Sequence, residues 1–210
     1  MNQMYENDIQ VTKIEKLGNG KIRIRFEEEE SLILYYSEIR GNKLEEGAYI
    51  PFSLYEKLLK EVVGKRAKKR ALHLLEQMDR TEQQLRDKLL LSEYPECCVE
   101  DAISYVKSFH YLDDSRYAET FTRYKKEKLS RHQIKQKLMT KGVSREIVAK
   151  AIEVEYDVDE SVHIRSLLEK KHFSIDADEG EFRRVYNYLL RRGFRSGDIL
   201  KEMRCVGADW

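Results

Sequence analysis

The nine-residue stretch Thr81-Glu-Gln-Gln-Leu-Arg-Asp-Lys-Leu89 recurs without a gap as Ser130-Arg-His-Gln-Ile-Lys-Gln-Lys-Leu138, 49 residues further along the chain. A third, weaker copy follows at an offset of 51, where Tyr188-Leu-Leu-Arg-Arg-Gly-Phe194 matches Lys137-Leu-Met-Thr-Lys-Gly-Val143. The register continues into the next apolar positions, which are Val99, Ala102 and Ile103 in copy one and Val148, Ala151 and Ile152 in copy two. Because self-similarity at a period of about 50 residues is typical of repeat proteins, the sequence predicts three tandem units.

Each unit is predicted to contain three helices. The middle helix begins at Thr81 or Ser130, and a glutamine follows three residues later (Gln84 or Gln133), which is the spacing of a capping box. The first helix has apolar residues at helical spacing, which we expect to face the core: Ala71, Leu74, Leu75 and Met78 in copy one, and Tyr117, Phe121 and Tyr124 in copy two.

The end of the middle helix differs between the copies. Gly142 and Gly193 follow it in copies two and three, where a left-handed residue can satisfy the last carbonyls. Copy one has Glu93 at this position, so we predict a different turn there, followed by Pro95 at the start of the next helix.

The N-terminal part has a different pattern, in which apolar and polar residues alternate at Ile22, Ile24 and Phe26 and again at Leu32, Leu34 and Tyr36. Gly18-Asn19-Gly20 supplies a turn, and the four glutamates at 27–30 are predicted to form a solvated loop or strand end. A helix is expected over Ser53 to Val63, with the basic stretch Lys65 to Arg70 as the junction to the repeats.

The predicted fold is therefore mainly α, with three tandem three-helix repeats preceded by a small antiparallel β domain that a helix closes. The predicted boundaries are 1–64 for the β-rich domain and 65–112, 113–157 and 158–210 for repeats one to three. Charged residues make up 37% of the 210 residues and hydrophobic residues 41%, a balance that suits thin helical layers better than one thick core.

Several classes of site are not expected. The five histidines have no ligand partners at metal-site spacing, so no metal or other cofactor is implied. The three cysteines lack C-x-x-C spacing and are predicted to be reduced and to face the core: Cys97, Cys98 and Cys205. No apolar run is long enough for a membrane span and no signal peptide begins the chain. We expect a cytoplasmic monomer without a membrane partner.

Positive charge is concentrated in the second repeat. Residues 1–64 hold 9 basic and 12 acidic side chains, whereas residues 113–158 hold 11 basic and 8 acidic ones. Between residues 120 and 145 the only acidic residue is Glu127, against nine basic ones: Arg123, Lys125, Lys126, Lys128, Arg131, Lys135, Lys137, Lys141 and Arg145. We predict that this segment binds an anionic partner, which is either phosphate groups or the acidic surface of a protein.

Other chemistry-bearing residues have structural interpretations. Tyr117, Phe121 and Tyr124 have the chemistry to stack on bases, but their helical spacing favours core positions. Asp113-Asp114 precedes a helix, where a carboxylate caps backbone N–H groups, so a two-carboxylate catalytic site is disfavoured. The sequence contains no P-loop, G-x-S-x-G or H-E-x-x-H motif, and we do not expect an enzyme.

The chain resembles the bacterial RecX regulatory proteins, which modulate the RecA recombinase. The resemblance lies in Ala71 to Leu91, in Phe109-His-Tyr-Leu-Asp-Asp-Ser-Arg-Tyr-Ala118 and in Ser130 to Ile152, and it covers roughly residues 66–205. It implies an elongated, curved array of three-helix repeats that lies in the groove of the RecA–DNA filament. It also implies that the protein restrains ATP hydrolysis and strand exchange, and thereby regulates DNA repair and homologous recombination.

Two departures and one alternative accompany this resemblance. The third repeat has an acidic insertion, Ser174-Ile-Asp-Ala-Asp-Glu-Gly180, and Gly197 lies where its last helix is expected to start, which predicts a different shape for that copy. The β-rich N-terminal extension occurs only in some family members.

The alternative is a stand-alone DNA-binding protein, because a basic three-helix unit resembles a helix-turn-helix. The absence of an Arg-, Asn- and Gln-rich recognition helix disfavours it.

Overall fold

The order of elements confirms the predicted fold class. A computed structural model describes residues 8–42 and 44–206. The N-terminal elements are β1 (Asp8–Gly18), β2 (Lys21–Phe26), β3 (Leu32–Tyr35), α1 (Tyr36–Asn42), β4 (Tyr49–Pro51) and α2 (Phe52–Lys57), followed by a π-helical segment (Leu58–Gly64). The three-helix units are α3 (Lys65–Gln77), α4 (Glu82–Leu91) and α5 (Glu96–Ser108); α6 (Asp114–Lys125), α7 (Arg131–Thr140) and α8 (Arg145–Glu155); and α9 (Glu160–Lys170), α10 (Glu179–Arg191) and α11 (Ser196–Cys205).

The four strands form one antiparallel sheet in the order β3-β2-β1-β4. Gly18, Asn19 and Gly20 make the predicted turn between β1 and β2, all with positive φ, a conformation that glycine and asparagine tolerate best. The glutamates at 27–30 lie in the connection between β2 and β3, as predicted. The alternating apolar side chains of β2 and β3 are buried and form one side of the first core.

The helical run that follows the sheet does not end where the sequence indicated. Helix α2, the π-helical segment and α3 are continuous from residue 52 to residue 77, and Gly64 itself has helical dihedrals (φ −62°, ψ −43°). The stretch from Lys65 to Arg70, which the sequence indicates as a junction, therefore continues a helix. A Cβ atom on Gly64 would lie 3.3 Å from the Leu59 carbonyl oxygen and 3.9 Å from Cys98 Sγ, so glycine allows close packing here.

The chain divides between residues 113 and 114 into two compact units. In the first, the sheet and helices α2 to α5 share a single core, which includes Ile24 and Leu34 from the strands and Ala71, Leu89 and Val106 from the helices. The domain boundary between residues 64 and 65 remains a proposal that rests on the sequence pattern, since residues before and after it pack into this same core. In the second unit, α6 to α8 and α9 to α11 have separate cores.

Both predicted capping boxes are confirmed. The Thr81 hydroxyl accepts from the Gln84 backbone N–H and the Thr81 N–H donates to the Gln84 side chain, and Ser130 pairs with Gln133 in the same way. Each exchange satisfies two backbone donors that a helix start leaves unpaired. The positions of α4 and α7 therefore follow from local sequence.

The predicted difference at Glu93 is wrong. Glu93 has a left-handed φ of 59°, as Gly142 and Gly193 have at 85° and 83°. Its N–H donates to the Leu90 carbonyl, and the Tyr94 N–H donates to the Leu89 carbonyl, the same pair of bonds that closes α7 and α10. All three middle helices thus end in one type of turn, because the hydrogen bonds compensate for a non-glycine residue in this conformation.

Four residues that the sequence predicts to face the core are exposed, because the helices end earlier or rotate further than the apolar pattern indicates. Met78 lies beyond the end of α3 and is 58% exposed, and Tyr124 is 76% exposed near the end of α6. Cys97 and Cys205 are exposed, so only Cys98 is a buried cysteine as predicted; all three are free thiols. The buried positions of α6 are instead Ala118 and Thr122.

We expect thiol labelling to separate the three cysteines. Burial raises the pKa of the Cys98 thiol to about 12, and the thiolate is the reactive form. A chromogenic disulfide reagent at mildly alkaline pH should therefore modify Cys97 and Cys205 rapidly, and Cys98 only after unfolding. Mass spectrometry of the labelled peptides measures this directly, with urea-unfolded protein as the fully reactive reference. Rapid labelling of all three thiols in the folded protein would contradict the packing of α5.

The third repeat keeps three helices despite its insertion. Residues 171–178 connect α9 to α10, and the Asp178 carboxylate caps α10 by accepting from the Glu181 N–H at 2.7 Å. Gly197 lies in the first turn of α11 and does not prevent that helix from forming. The insertion therefore lengthens a loop and supplies a cap, whereas the core positions Ile199 and Met203 are buried as the repeat predicts.

Candidate functional site

The nine predicted basic residues lie on the end of α6, on the loop to α7, on α7 and at the beginning of α8. All lie in the second compact unit. Residues 114–210 hold 21 basic and 17 acidic side chains, a net charge of +4 in a chain of net charge +1. Some of the nine have acidic or aromatic partners within this unit, and four of them line a groove.

Two of the nine are neutralised by carboxylates at and just after the end of α8. The Arg123 guanidinium donates to Glu155 at 2.6 and 2.9 Å, and the Lys126 ammonium donates to Asp157 at 2.6 Å. Arg123 holds the pKa of Glu155 below its ordinary value, and the hydrogen bond from Lys126 does the same for the pKa of Asp157. These two cations join α6 to the end of α8 and contribute little net charge to a partner surface.

Arg131 also has an internal role. Its guanidinium carbon lies 4.8 Å from the centre of the Tyr156 ring and the group donates to the Tyr156 carbonyl at 3.4 Å. The Glu160 carboxylate accepts from the Arg131 backbone N–H at 2.7 Å and from the Tyr156 hydroxyl at 3.2 Å. Burial, reinforced by Glu160, raises the pKa of Tyr156 above its ordinary value. Arg131 therefore packs within the second unit.

Four of the remaining lysines line a groove between the end of α6 and α7, which we call the lysine groove. Its volume is about 640 Å³ and its apolar floor is formed by Phe121 and Leu129. The remaining lining residues are Lys125, Lys128, Gln136, Lys137, Thr140 and Lys141. The helical spacing of residues 136, 137 and 140 puts them on one face of α7, with Lys141 directly after its end, and Ile134 and Leu138 on the adjacent face are buried.

The lining of the lysine groove is basic. Among the residues that the structure describes, no carboxylate lines the groove. In the part of the chain that the structure describes, Lys125, Lys128 and Lys137 form no ion pair, whereas the Lys141 ammonium lies 5.9 Å from the centre of the Tyr117 ring. Lys135 and Arg145 are exposed but do not line the groove.

The groove suits an anionic ligand that also has an apolar part. Lysine ammonium groups supply donors without acceptors, and the aliphatic stems of lysine can cover apolar surface next to Phe121 and Leu129. Sequence reasoning missed Phe121 and Leu129 as site residues, and it also missed Gln136 and Thr140. Gln136 and Thr140 are four residues apart, as Lys137 and Lys141 are, and these parallel spacings were the available signal. The exposed Tyr124 ring next to Lys125 adds an aromatic surface without a core role.

Comparison with known proteins identifies the family. Residues 67–105 match the model for the first three-helix domain of RecX, and residues 113–152 match the model for the second. The chain is 34% identical over 162 residues to the regulatory protein RecX of Caldanaerobacter subterraneus subsp. tengcongensis, covering 76% of this chain and 80% of that one. This chain belongs to the RecX family.

Further relatives agree with this assignment over nearly the whole length. The regulatory protein RecX of Clostridium acetobutylicum is 27% identical over 210 residues, covering 95% of this chain and 98% of that one. A crystal structure of a regulatory protein RecX has the same fold with a TM-score of 0.60 over 92% of this chain, at 20% identity. The structure of RecX from Lactobacillus salivarius covers 68% of this chain, also with a TM-score of 0.60.

Family membership gives a regulatory role and confirms the resemblance drawn from the sequence. The lysine groove lies within the second RecX three-helix domain. Among the helices formed by residues 8–42 and 44–206, none is both long enough and apolar enough to cross a membrane.

Proposed function

We propose that this protein regulates RecA by binding the RecA–DNA filament in the cytoplasm and lowering its ATPase and strand-exchange activity. Membership of the RecX family supports the regulatory part of this proposal. The observation that carries the contact is the lysine groove, where four lysines surround an apolar floor and no carboxylate accompanies them. The proposed action is non-enzymatic, because binding a filament changes its activity without new chemistry.

The lysine groove reduces the nine candidate partner-binding residues to the four lysines that line it. Arg123 and Lys126 are already paired with Glu155 and Asp157, and Arg131 packs on Tyr156. Among the described residues, Lys125, Lys128 and Lys137 form no ion pair, and an opposite charge at about 4 Å is worth roughly 1 kcal/mol in water and more near a protein surface. Several such contacts would accelerate encounter with an anionic filament and fix the orientation of the bound protein.

The test is RecA-dependent ATP hydrolysis on single-stranded DNA with increasing amounts of this protein. We expect turnover to fall at or below one molecule per RecA protomer, and the protein to co-sediment with the filament. Bovine albumin at equal concentration controls for crowding. Unchanged turnover together with absence from the sedimented filament would contradict the proposal. Sequence-selective binding to duplex DNA without RecA would favour the stand-alone DNA-binding function instead.

A further inference from the structure

A second cluster of cations lies in the third repeat. The Lys171 ammonium and the Arg192 guanidinium carbon each lie 4.8 Å from the centre of the Tyr188 ring. Lys171 follows the end of α9 and Arg192 follows the end of α10, so two helices bring like charges to one aromatic side chain. Neither cation forms an ion pair with any carboxylate among residues 8–42 and 44–206.

The helix dipole explains only part of this arrangement. Basic residues are favoured near helix C-termini, where they interact with unpaired carbonyl groups. The dipole gives no reason for two cations from two helices to converge on one ring, because like charges repel. An anion held between them would relieve that repulsion. The Tyr188 ring keeps the two cations in place by cation–π contact, and its hydroxyl can donate a further hydrogen bond.

The cluster occupies the positions that correspond to the lysine groove one repeat earlier. Helix α6 buries Ala118 and Thr122, and helix α9 buries Ile164 and Leu168 at the same spacing. Lys125 and Lys171 each lie three residues after the second member of these pairs and are therefore equivalent. The 51-residue offset makes Lys137 equivalent to Tyr188 and Lys141 equivalent to Arg192. In both repeats the residue before the left-handed glycine is thus a cation that lies over a tyrosine ring.

The first repeat does not share this feature. At the 49-residue offset, Ser92 stands where Lys141 stands in the second repeat and Arg192 in the third, and Lys88 corresponds to Lys137. A general requirement of the fold would place a cation before the left-handed residue in every repeat. A cation at this position is instead confined to the second and third repeats, which supports a ligand rather than a structural need.

The two cationic sites lie within one compact unit and are joined by a direct contact. The Ser130 hydroxyl, at the start of α7, donates to the Arg192 carbonyl at 2.6 Å. Lys141 follows the other end of α7, eleven residues later, so the backbones of Lys141 and Arg192 are separated by roughly 15 Å along this helix. A flexible polyanion could therefore contact both sites at once.

We propose that Lys171, Tyr188 and Arg192 form a second anion site, which together with the lysine groove binds the phosphate backbone of a single DNA strand. This inference rests on the proposed function in that the RecA filament supplies the strand. A nucleic-acid strand carries a negative charge on every nucleotide, so it can contact both sites in any register. An acidic protein would need two acidic surface patches at the same spacing as the two sites. Lysine and arginine are suited to phosphate contacts, and the exposed Tyr124 ring offers a surface for base stacking.

The test measures binding of a fluorescein-labelled oligothymidylate by anisotropy across a series of salt concentrations, without RecA. The variant Lys171→Gln with Arg192→Gln is compared with Arg183→Gln with Arg184→Gln. The control variant removes two exposed arginines of α10, whose carboxylate partners are Glu179 and Glu181. Circular dichroism verifies that both variants keep the helical content of the wild type.

We expect the Lys171–Arg192 variant to bind about tenfold more weakly and the slope of log K against log salt to become shallower by about 1.4, because each phosphate contact to a single strand contributes about 0.7. The control variant should keep the slope of the wild type. Tyr124→Ala should weaken binding by about tenfold or more and leave the slope unchanged, because stacking releases no counterion.

The outcomes separate this inference from the proposed function. Absence of oligothymidylate binding, an unchanged slope in the Lys171–Arg192 variant, or equal competition by polyglutamate would each overturn the second anion site, the last in favour of an acidic protein surface. The RecA ATPase assay with wild-type protein is the parallel measurement. Inhibition of RecA without oligothymidylate binding refutes only the proposed binding of a DNA strand by the two cationic sites. Oligothymidylate binding with the expected slopes but no effect on RecA supports that binding and refutes the regulatory proposal.

Discussion

The double variant Lys128→Glu with Lys137→Glu is expected to require roughly thirtyfold more protein for half-inhibition of the RecA ATPase. Each lysine contact is worth about 1 kcal/mol at the rim of an interface, and the loss of two contacts, about 2 kcal/mol, corresponds to a factor of about thirty in affinity. Reversal of sign adds repulsion to this loss. Both side chains line the lysine groove and are exposed, so their substitution removes no buried contact.

The matched control is Lys135→Glu with Lys150→Glu. It makes the same change in net charge with the same residue types on exposed positions of α7 and α8, but neither residue lines the lysine groove. We expect only the small loss that long-range attraction gives, which falls further as salt screens it. Equal losses in both double variants would mean that net charge, and not the groove, determines binding. Circular dichroism and thermal unfolding identify any variant that has lost its fold.

Gly193→Ala is expected to destabilise the second compact unit by about 2–5 kcal/mol. Gly193 has a φ of +83°, a left-handed conformation that costs a residue with a Cβ atom roughly 1–2 kcal/mol. A Cβ atom there would also lie 2.5 Å from the His132 side chain, and overpacking of this kind costs about 1–3 kcal/mol. The contact connects the turn after α10 with the first turn of α7, beside the Ser130–Arg192 hydrogen bond.

Two other glycines separate these contributions. Gly47 has a φ of +84° with nothing within 4 Å of a Cβ atom, so Gly47→Ala should show the conformational cost alone. Gly197 lies in α11 with open space around it, so Gly197→Ala should be neutral or stabilising by up to about 1 kcal/mol. Urea unfolding gives the totals, and hydrogen exchange of peptides from α7 and α10 locates the effect of Gly193→Ala.

A double-mutant cycle with His132→Gly tests the steric part directly. Removing the His132 side chain should recover part of the loss caused by Gly193→Ala, even though glycine itself weakens α7 by up to about 1 kcal/mol. Strict additivity of the two substitutions, or equal effects of Gly193→Ala and Gly47→Ala, would show that the close approach between the second and third repeats contributes nothing to stability.

Much of the fold follows from local sequence. The 49- and 51-residue offsets predicted three-helix units, and the helices α3 to α11 confirm them. Thr81 and Ser130 begin α4 and α7 through capping boxes because the groups that exchange hydrogen bonds lie three residues apart. The same local logic failed at Glu93, where the turn geometry overrides the preference for glycine, and at Gly64, where glycine serves packing inside a helix.

The candidate site was only partly predictable. The sequence identified the basic segment, but a count of charges between residues 120 and 145 could not include Glu155 and Asp157, which lie further along the chain and neutralise Arg123 and Lys126. It also assigned Tyr124 to the core, because a regular apolar spacing does not reveal where a helix projects beyond its neighbours into solvent.

The sequence by itself determined the repeat, the family, the helix starts and the region of positive charge, because periodicity, capping and composition are properties of neighbouring residues. Only the tertiary structure decided which lysines line the groove around Phe121 and Leu129, and that Lys171 and Arg192 meet at Tyr188. These arrangements depend on distances between residues from different helices. Such distances are set by how the helices pack, which no local pattern specifies.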